Sequence, residues 1–229
     1  MEILPKRIYE ILKGKGVTSI LHANSVENSS LFLRNRCLMS REAIEKLNTL
    51  NTSTKAKHSG INYSIWNDIF TDSVDRHKQS NNIHDHGPAL LKIDIEIIKN
   101  TYTGKVWVTK SNPVNWDANT HHERKWFVSA NDLEDNFSYG SFDHMIVFRH
   151  CAGKLPIQGY LNKVVLDDPK LKTDKYQIDY FSMAFGALKL AMKEGGLEVP
   201  IEKRACNQGC GCLDIYKNGK TEPDKMFTL

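Results

Sequence analysis

The sequence lacks the features that would place it in a membrane or in a common nucleotide-binding class. No run of about 18 consecutive apolar residues occurs, so no transmembrane helix is predicted. The opening residues, MEILPKRIYEILKGKG, are basic but contain neither a continuous apolar stretch nor a small-residue cleavage site, and we expect no secretory signal. The chain has no G-x-G-x-x-G and no P-loop motif, which argues against nucleotide binding through either glycine-rich device. Internal repeats and low-complexity tracts are also missing.

Cysteine is scarce and odd in number, with five residues in a chain of 229. A chain of this length can bury a substantial core and does not need disulfides for stability. Free thiols in a reducing, cytoplasmic compartment are therefore expected. With 40% hydrophobic and 25% charged residues, the composition is that of an ordinary soluble globular protein.

The excess of positive charge is too small to identify a partner by itself. The net charge is +4, and the first sixty residues hold 10 Lys and Arg against 5 Asp and Glu. A basic N-terminal quarter could contact phosphates, although a solvated surface is the simpler interpretation.

Periodicity and capping residues predict helices early in the chain and strands in its middle. Helices are expected in PKRIYEILKGKG, in SVENSSLFLRNRCLMS with Ser25 as N-cap, and in SREAIEKLNTL with Ser40 as N-cap, with a strand, VTSILHANS, after the first. Strands are expected in ALLKIDIEII, KVWVTK, HMIVFRH, NKVVLDD and LEVPIEKR, and turns or loops in SNPVNW, in SANDLEDN and in the Cys-containing tail. A long helix, DKYQIDYFSMAFGALKLAMKEGG, ends at Gly195 and Gly196. This order predicts an α+β fold.

Two stretches carry possible metal ligands. Residues 66–86, WNDIFTDSVDRHKQSNNIHDH, are dense in Asp and His, which can bind a divalent ion or simply form an acidic surface loop. The tail places Cys206, Cys210 and Cys212 at C-x3-C-x-C spacing, and a zinc site there would need a fourth ligand, such as Cys151, His150 or another group. Free or buried thiols are the alternative.

The segment ILHANSVENSSLFLRNRCLMSR resembles the opening of the DarT-type ADP-ribosyltransferases. Those enzymes begin with a strand ending in His, a helix of the form x-E-N-L-x-x-I-L and a G-L-L step. Later segments are similar to the same group: YSIWNDIFTDSVDRH with HGPALLKIDIEII, KVWVTKSNPVNW with RKWF, and HMIVFRHCAGKLPIQGYLNKVVLDD. The resemblance covers roughly residues 17–170. It implies one domain, 1–229, with an ADP-ribosyltransferase-like split β-sheet core, N-terminal helices, and a C-terminal helix and Cys-containing tail in 171–229.

The resemblance implies transfer of ADP-ribose from NAD, as substrate, to a base in single-stranded RNA or DNA, without a required metal. Such enzymes are toxins of bacterial toxin–antitoxin or phage-defence systems, so a neutralising antitoxin protein is an expected partner and a membrane is not. The glycosidic carbon passes through an oxocarbenium-like state. By the resemblance, His22 contacts the nicotinamide ribose and Asn24 or Ser25 seats the nicotinamide. Arg41 or Arg76 binds the pyrophosphate, where a guanidinium can engage two oxygens.

The stretch FDHMIVFRH leaves the catalytic group open. Relatives carry a catalytic Glu at the start of the strand that aligns with HMIVF, where this chain has His144 preceded by Asp143. Asp143 could supply the carboxylate from a shifted register, or His144 could act as general base, since its free pKa is ~6.5. Glu123, in HHERKWF, is a third candidate. Alternatively, Asp143 and His144 merely end a strand and make ordinary hydrogen bonds.

A polar loop followed by aromatics is the predicted nucleic-acid contact. Lys55, Lys57 and His58 precede Tyr63 and Trp66, and such a stretch suits phosphates and stacked bases, although a loop with two core aromatics would look the same. Two other functions compete with ADP-ribosyl transfer. One is a metal-dependent nuclease that uses the Asp/His segment 68–86, and the other is a non-enzymatic nucleic-acid-binding module with a Cys zinc knuckle.

Overall fold

In a computed structural model, the described residues are 3–47, 64–80, 86–99, 105–117, 119–204, 210–218 and 223–229. They form a mixed α+β fold, which confirms the predicted class. The chain divides into two compact units. The first unit comprises Met1–Ile20, Cys37–Val74 and Asp94–Tyr160, and the second comprises Leu21–Arg36, Asp75–Ile93 and Leu161–Leu229. A single ADP-ribosyltransferase-like domain over 1–229 stays a prediction.

The helices and strands of the described residues have the following bounds. The α-helices are α1 (Pro5–Gly14), α2 (Val26–Asn35), α3 (Arg41–Lys46), α4 (Arg76–Ser80), α5 (His122–Lys125), α6 (Ala130–Asn136), α7 (Tyr180–Gly195), α8 (Cys212–Lys217) and α9 (Pro223–Phe227). The strands are β1 (Ser19–Asn24), β2 (Cys37–Met39), β3 (Ile69–Thr71), β4 (Ala89–Asp94), β5 (Val106–Val108), β6 (Ile146–Phe148), β7 (Lys154–Pro156), β8 (Leu161–Asp167) and β9 (Ile201–Arg204). Short 3-10 helices occur at Ile95–Ile98 and Pro113–Asn115. None of the helices in this part of the chain combines the length and apolar character needed to cross a bilayer.

The first unit contains a three-stranded antiparallel sheet in the order β3-β6-β5. The central strand, β6, is fully buried, as the apolar run MIVF predicts. Strands β2 and β7 form a separate antiparallel pair. Beside the sheet, Trp116 and Trp126 pack with Ile65 and Val147 in an apolar cluster. This unit therefore has an aromatic core next to its central strand.

The second unit is built on a four-stranded sheet in the order β1-β4-β8-β9. Strands β4 and β8 are antiparallel, whereas β8 and β9 are parallel. A parallel pair needs a long crossover connection, and α7 lies in that connection. Helix α7 packs closely on α2, where a Cβ at Gly195 would lie 2.1 Å from the carbonyl oxygen of Leu33. The glycine therefore allows the close approach of the two helices.

Local sequence signals set several element ends as predicted. The hydroxyl of Ser25 accepts a hydrogen bond from the Asn28 N–H at the start of α2, and Ser40 does the same for Ala43 at the start of α3. Helix α7 ends at Gly196, which has the left-handed φ of 63° that favours glycine.

Other predicted elements were wrong. Helix α2 does not continue through RCLMS, because Arg36 adopts a left-handed φ of 55° and residues 37–39 instead pair with β7. SANDLEDN is a capped helix rather than a turn, with the Ser129 hydroxyl accepting from the Asp132 N–H. The Cys-containing tail, which was predicted as turns, contains helix α8. Residues Ile95–Ile98, which were predicted as the end of a strand, form a 3-10 helix. These elements are short, so packing rather than periodicity decides them.

Candidate functional site

The end of β1 and the N-cap of α2 hold three of the predicted NAD-binding residues side by side. His22 lies on β1, and its Nε2 is 3.5 Å from the Nδ2 of Asn24. The Oδ1 of Asn24 accepts hydrogen bonds from the Ser25 backbone N–H at 3.0 Å and from the Asn28 Nδ2 at 2.7 Å. His22, Asn24 and Ser25 are half-buried, so part of each side chain is accessible to a ligand. This group is called the β1 turn below.

Gly87 fixes the position of the β1 turn. Its φ is +140°, and a Cβ at this position would lie 2.3 Å from the carbonyl carbon and oxygen of Asn24 and from the Ser25 nitrogen. The backbone of Gly87 thus packs directly on the peptide that joins Asn24 to Ser25. Only glycine allows both the φ and the approach.

Asn28 contacts the β1 turn, and the sequence analysis did not predict a role for it. Its Nδ2 donates to Asn24, and its Oδ1 is a buried oxygen with no hydrogen-bond partner among the described residues. A buried acceptor without a donor costs about 1–3 kcal/mol, so a ligand N–H would be favoured there. Asn24 ends β1 and Asn28 lies in the first turn of α2, and the Ser25 N-cap between them brings the two amides together.

The two predicted pyrophosphate ligands lie in different units. Arg76 is the first residue of α4 in the second unit, and Arg41 is the first residue of α3 in the first. The guanidinium of Arg41 lies 5.6 Å from the ring centroid of Trp66, and burial lowers the pKa of Arg41. Within the first unit, Arg41, a predicted phosphate ligand, therefore contacts Trp66, a predicted base-stacking residue. The roles of all three residues stay predictions.

Asp143 is engaged in backbone hydrogen bonds of the first unit. Its Oδ1 accepts from the Asn112 N–H at 2.9 Å, and its carbonyl oxygen accepts from the Thr109 hydroxyl. The Thr109 hydroxyl also accepts from the Met145 N–H at 2.7 Å. These bonds hold the segment that enters β6. They are the ordinary hydrogen bonds that a residue at the end of a strand makes, which was the non-catalytic alternative for Asp143.

His144 is held in a partly aromatic pocket. Its Nδ1 accepts from the Ser138 N–H at 2.9 Å, and its ring centroid lies 5.2 Å from that of Phe127 and 5.4 Å from that of Phe137. Burial lowers the pKa of His144. Because Nδ1 is an acceptor, the neutral ring carries its proton on Nε2. To act as a base, this imidazole would first have to give up the Ser138 hydrogen bond.

The remaining predicted site residues are either exposed or outside the described residues. Glu123, the third catalytic candidate, is exposed on α5. Four of the predicted nucleic-acid contacts lie outside the described residues: Lys55, Lys57, His58 and Tyr63. Their roles stay predictions.

Two aspartates of the Asp/His segment pair with arginines. Asp68 accepts from the Nε of Arg149 at 2.8 Å in the first unit. In the second unit, both carboxylate oxygens of Asp75 accept from the Nη1 of Arg204, at 2.9 and 2.7 Å. The metal-dependent nuclease needs carboxylates directed at a metal, and these two are directed at guanidinium groups.

One histidine of the same segment reaches the cysteine tail. The ligand atoms of His77, Cys210 and Cys212 all lie within 4.8 Å of one another, and the Nε2 of His77 is 3.3 Å from the Sγ of Cys210. His77 and Cys212 are buried, and Cys210 is partly exposed. This is the one such group of three among the described residues, and it is called the His–Cys cluster below.

A charged network supports the His–Cys cluster. The Nδ1 of His77 faces the Oδ2 of Asp167 at 3.3 Å, and the same oxygen accepts from the Tyr216 hydroxyl at 2.7 Å. Asp167 also forms an ion pair with Arg204. Burial lowers the pKa of His77, but the facing carboxylate more than offsets it and the net shift is upward. For Cys210 burial raises the pKa, and hydrogen bonds with Cys212 and His77 make the net shift downward.

The sequence offered both halves of this cluster without joining them. The Asp/His segment and the C-x3-C-x-C tail were each predicted as possible metal ligands, but His77 and Cys210 are 133 positions apart and no linear spacing connects them. Cys206 lies outside the described residues. Cys151, an expected fourth ligand, belongs to the first unit, where its Sγ donates to the Phe148 carbonyl at 3.6 Å.

Comparison with models of protein families and with curated proteins finds no match to this chain.

Proposed function

We propose that this protein transfers ADP-ribose from NAD to a base in single-stranded RNA or DNA through an ADP-ribosyltransferase-like core. In a bacterial cell such an activity would act as a toxin, and a protein antitoxin would neutralise it. The observation that carries the proposal is the β1 turn, in which His22, Asn24 and Ser25 cluster in the order strand, His, polar turn and helix. That order is the one that the resemblance requires.

The β1 turn offers donors and acceptors of the kind that a nicotinamide riboside needs. The imidazole of His22 can hydrogen-bond ribose hydroxyls, and the amide N–H of Asn24 can donate to the carboxamide oxygen of nicotinamide. The buried Oδ1 of Asn28 can accept from the carboxamide N–H of nicotinamide, which would satisfy that oxygen. Arg76, in the same unit, carries the positive charge proposed for the pyrophosphate.

The proposal is tested by incubating the full chain with NAD labelled in the adenylate moiety and with single-stranded DNA, single-stranded RNA or protein. Transfer is expected to label one nucleic acid and to release nicotinamide. Cleavage of the nucleic acid without label would favour the metal-dependent nuclease. Retention of nucleic acid without turnover would favour a binding module.

Two variants connect the activity to the β1 turn. In Asn24→Asp, a carboxylate oxygen still accepts from Ser25 and Asn28, but the amide donor is lost, so NAD affinity should fall about tenfold, the loss of one hydrogen bond. His22→Ala should abolish measurable NAD binding in calorimetry. His121→Ala, at an exposed position in the first unit, is the control and should bind NAD as the unmodified chain does. Unchanged affinity in both β1-turn variants would remove the proposed NAD site.

The catalytic group is identified with the same assay. Asp143, His144 and Glu123 are changed singly to Asn, Gln and Gln, and one of the three changes should lower turnover by ~10²-fold or more. Small and equal losses in all three variants would mean that the catalytic group lies elsewhere.

A further inference from the structure

The His–Cys cluster has no role in the proposed transfer reaction, and its chemistry is that of a metal site. It combines one imidazole and two thiols, which are ligands that zinc prefers. The three come from elements far apart in sequence. His77 lies on α4, Cys210 precedes α8, and Cys212 is the first residue of α8.

The separations of the ligand atoms suit one tetrahedral ion. With zinc–sulfur bonds of ~2.3 Å and zinc–nitrogen bonds of ~2.0–2.1 Å, tetrahedral geometry separates nitrogen from sulfur by ~3.6 Å and two sulfurs by ~3.8 Å. The His77 Nε2 and the Cys210 Sγ are 3.3 Å apart, and all three ligand atoms lie within 4.8 Å of one another. Shifts of a few tenths of an ångström are enough to bind an ion.

The surroundings of His77 provide a second and independent argument. A histidine that binds zinc usually directs its other ring nitrogen at a carboxylate, which fixes the tautomer and the ring orientation. The Nδ1 of His77 faces Asp167 in this way, at 3.3 Å. Asp167 is in turn held by Tyr216, and Tyr216 lies on α8, the helix that begins with Cys212. The ring nitrogen that remains, Nε2, is the one nearest to the Cys210 thiol.

The charge around the cluster also favours a cation. Asp75 and Asp167 share the single guanidinium of Arg204. Two thiolates would add negative charge in a buried region, and buried charge is tolerated only when it is paired or binds a metal. A divalent ion would balance the thiolates without disturbing the pairing of Arg204.

We propose that His77, Cys210 and Cys212 bind a zinc ion that fastens α8 to α4 within the second unit. Its role is structural: it ties the cysteine tail to α4, and His77 in turn contacts Asp167 at the end of β8. The described residues supply three ligands of the four that zinc usually takes. The alternative for the same thiols is a redox pair, in which Cys210 and Cys212 would lose two electrons and two protons to molecular oxygen or another disulfide and join in a disulfide.

The experiment measures metal in the full chain, produced in a zinc-supplemented bacterial culture and purified without chelator under reducing conditions. About one zinc per chain is expected by mass spectrometry of the metal. Replacement by Co²⁺ should give the intense sulfur-to-metal charge-transfer absorption and the visible bands of a tetrahedral thiolate site. This spectrum is read on the unmodified protein, so it does not depend on whether a variant folds.

Variants then locate the ion. Cys210→Ser, at the partly exposed ligand, should lower zinc content at least tenfold after dialysis against a weak chelator. Cys151→Ser, a buried thiol of the first unit, is the matched control and should keep its zinc. Equal loss in both variants, or an unmodified protein with neither zinc nor a cobalt spectrum, overturns the proposal. A Cys210–Cys212 disulfide that yields no metal binding after reduction overturns it in favour of the redox pair.

Discussion

The two units differ in how a largely buried arginine is paired: Arg149 of the first unit meets one carboxylate, whereas Arg204 of the second unit meets two. Asp68 pairs with Arg149, which also donates to the Ser64 carbonyl at 3.3 Å. The Arg149 guanidinium lies 4.6 and 5.0 Å from the ring centroids of Trp107 and Trp126. In the second unit Arg204 binds both Asp75 and Asp167, and Asp167 continues to Tyr216 and His77.

The difference indicates what each group of charges is suited to do. The two indoles lie beside the Arg149 guanidinium, and Asp68 balances its charge. This ion pair therefore contributes to the packing of the first unit. The network of the second unit leads through Asp167 to an imidazole and two thiols, so its geometry orients groups that can bind something else. A buried ion pair that also contacts other titratable side chains is therefore a better indication of a functional site than an isolated buried ion pair.

The largest predicted effect compares the two arginines. Arg149→Met leaves the buried Asp68 without its guanidinium, and Arg204→Met does the same to the buried Asp167 and the half-buried Asp75. Each change should cost about 3–5 kcal/mol of unfolding free energy, with Arg204→Met at the upper end. Urea denaturation followed by fluorescence measures both values.

Lys163→Met is the control for these two changes. Lys163 pairs with Glu202 at the surface of the second unit, at 2.6 Å, so its replacement should cost less than about 1 kcal/mol. If Arg204→Met costs no more than Lys163→Met, the network does not stabilise the second unit. For the first unit, the double change Asp68→Leu with Arg149→Met should recover much of the loss, because no unpaired charge stays buried.

Elements with strong local signals could be predicted from the sequence. Elements and contacts that depend on residues far apart in the chain could not. Helix α7 was predicted because its apolar stripe and terminal glycines are contiguous, and α2 because Ser25 caps it. The pairing of Cys37–Met39 with Lys154–Pro156 was not, because strands of three residues have too little pattern. At the candidate sites, local reasoning placed His22, Asn24 and Ser25 together because they are neighbours in the sequence. It could not find the contact between His77 and Cys210, which only the tertiary fold creates.

Helix packing gives the next comparison between the units. In the first unit α1 and α6 are linked by an exposed ion pair, Arg7 with Glu134, whereas in the second unit α2 and α7 meet at Gly195. Gly195→Ala drives a methyl group into the Leu33 carbonyl and should cost about 1–3 kcal/mol. Thermal unfolding of the variant, followed by circular dichroism, measures the loss.

Gly186→Ala is the matched control on the same helix. A Cβ at Gly186 meets nothing within 4 Å, so alanine should stabilise α7 by about 0.5–1 kcal/mol through its higher helix propensity. Opposite signs for the two glycines would show that the close approach of α2 and α7 is specific to Gly195. A stabilised Gly195→Ala protein would contradict the packing described here.

The last comparison concerns buried acids at opposite ends of the pH scale. In the first unit burial raises the pKa of Asp68 despite the opposing effect of Arg149. In the second unit burial, together with the Asp224 carboxylate that accepts its hydrogen bond, raises the pKa of Tyr180 to about 12. The protonated phenol is therefore favoured by folding. Its contribution to stability is fully present below its unfolded pKa of ~10 and is lost as the pH rises through about 12.

Absorbance titration of the phenols measures this shift. The difference between the unmodified protein and Tyr180→Phe should show one phenol with a midpoint of about 12. Repeating the difference measurement in an Asp224→Asn background should move that midpoint toward ~10, because the neighbouring negative charge is gone. A midpoint near ~10 with Asp224 intact would mean that the phenol is not buried against the carboxylate.

The parallel pairing of β8 with β9 has a consequence for the order in which the second unit assembles. Strand β9 can dock only after the chain has travelled through residues 168–200, including α7, and returned to the sheet. Arg204, at the end of β9, meets Asp167, at the end of β8, in that last step. Pairing between strands that are far apart in the chain must first meet the entropy cost of closing the intervening loop, which makes it slow. The second unit therefore completes its electrostatic centre only when its backbone is nearly finished, and a nascent or partly unfolded chain would lack it.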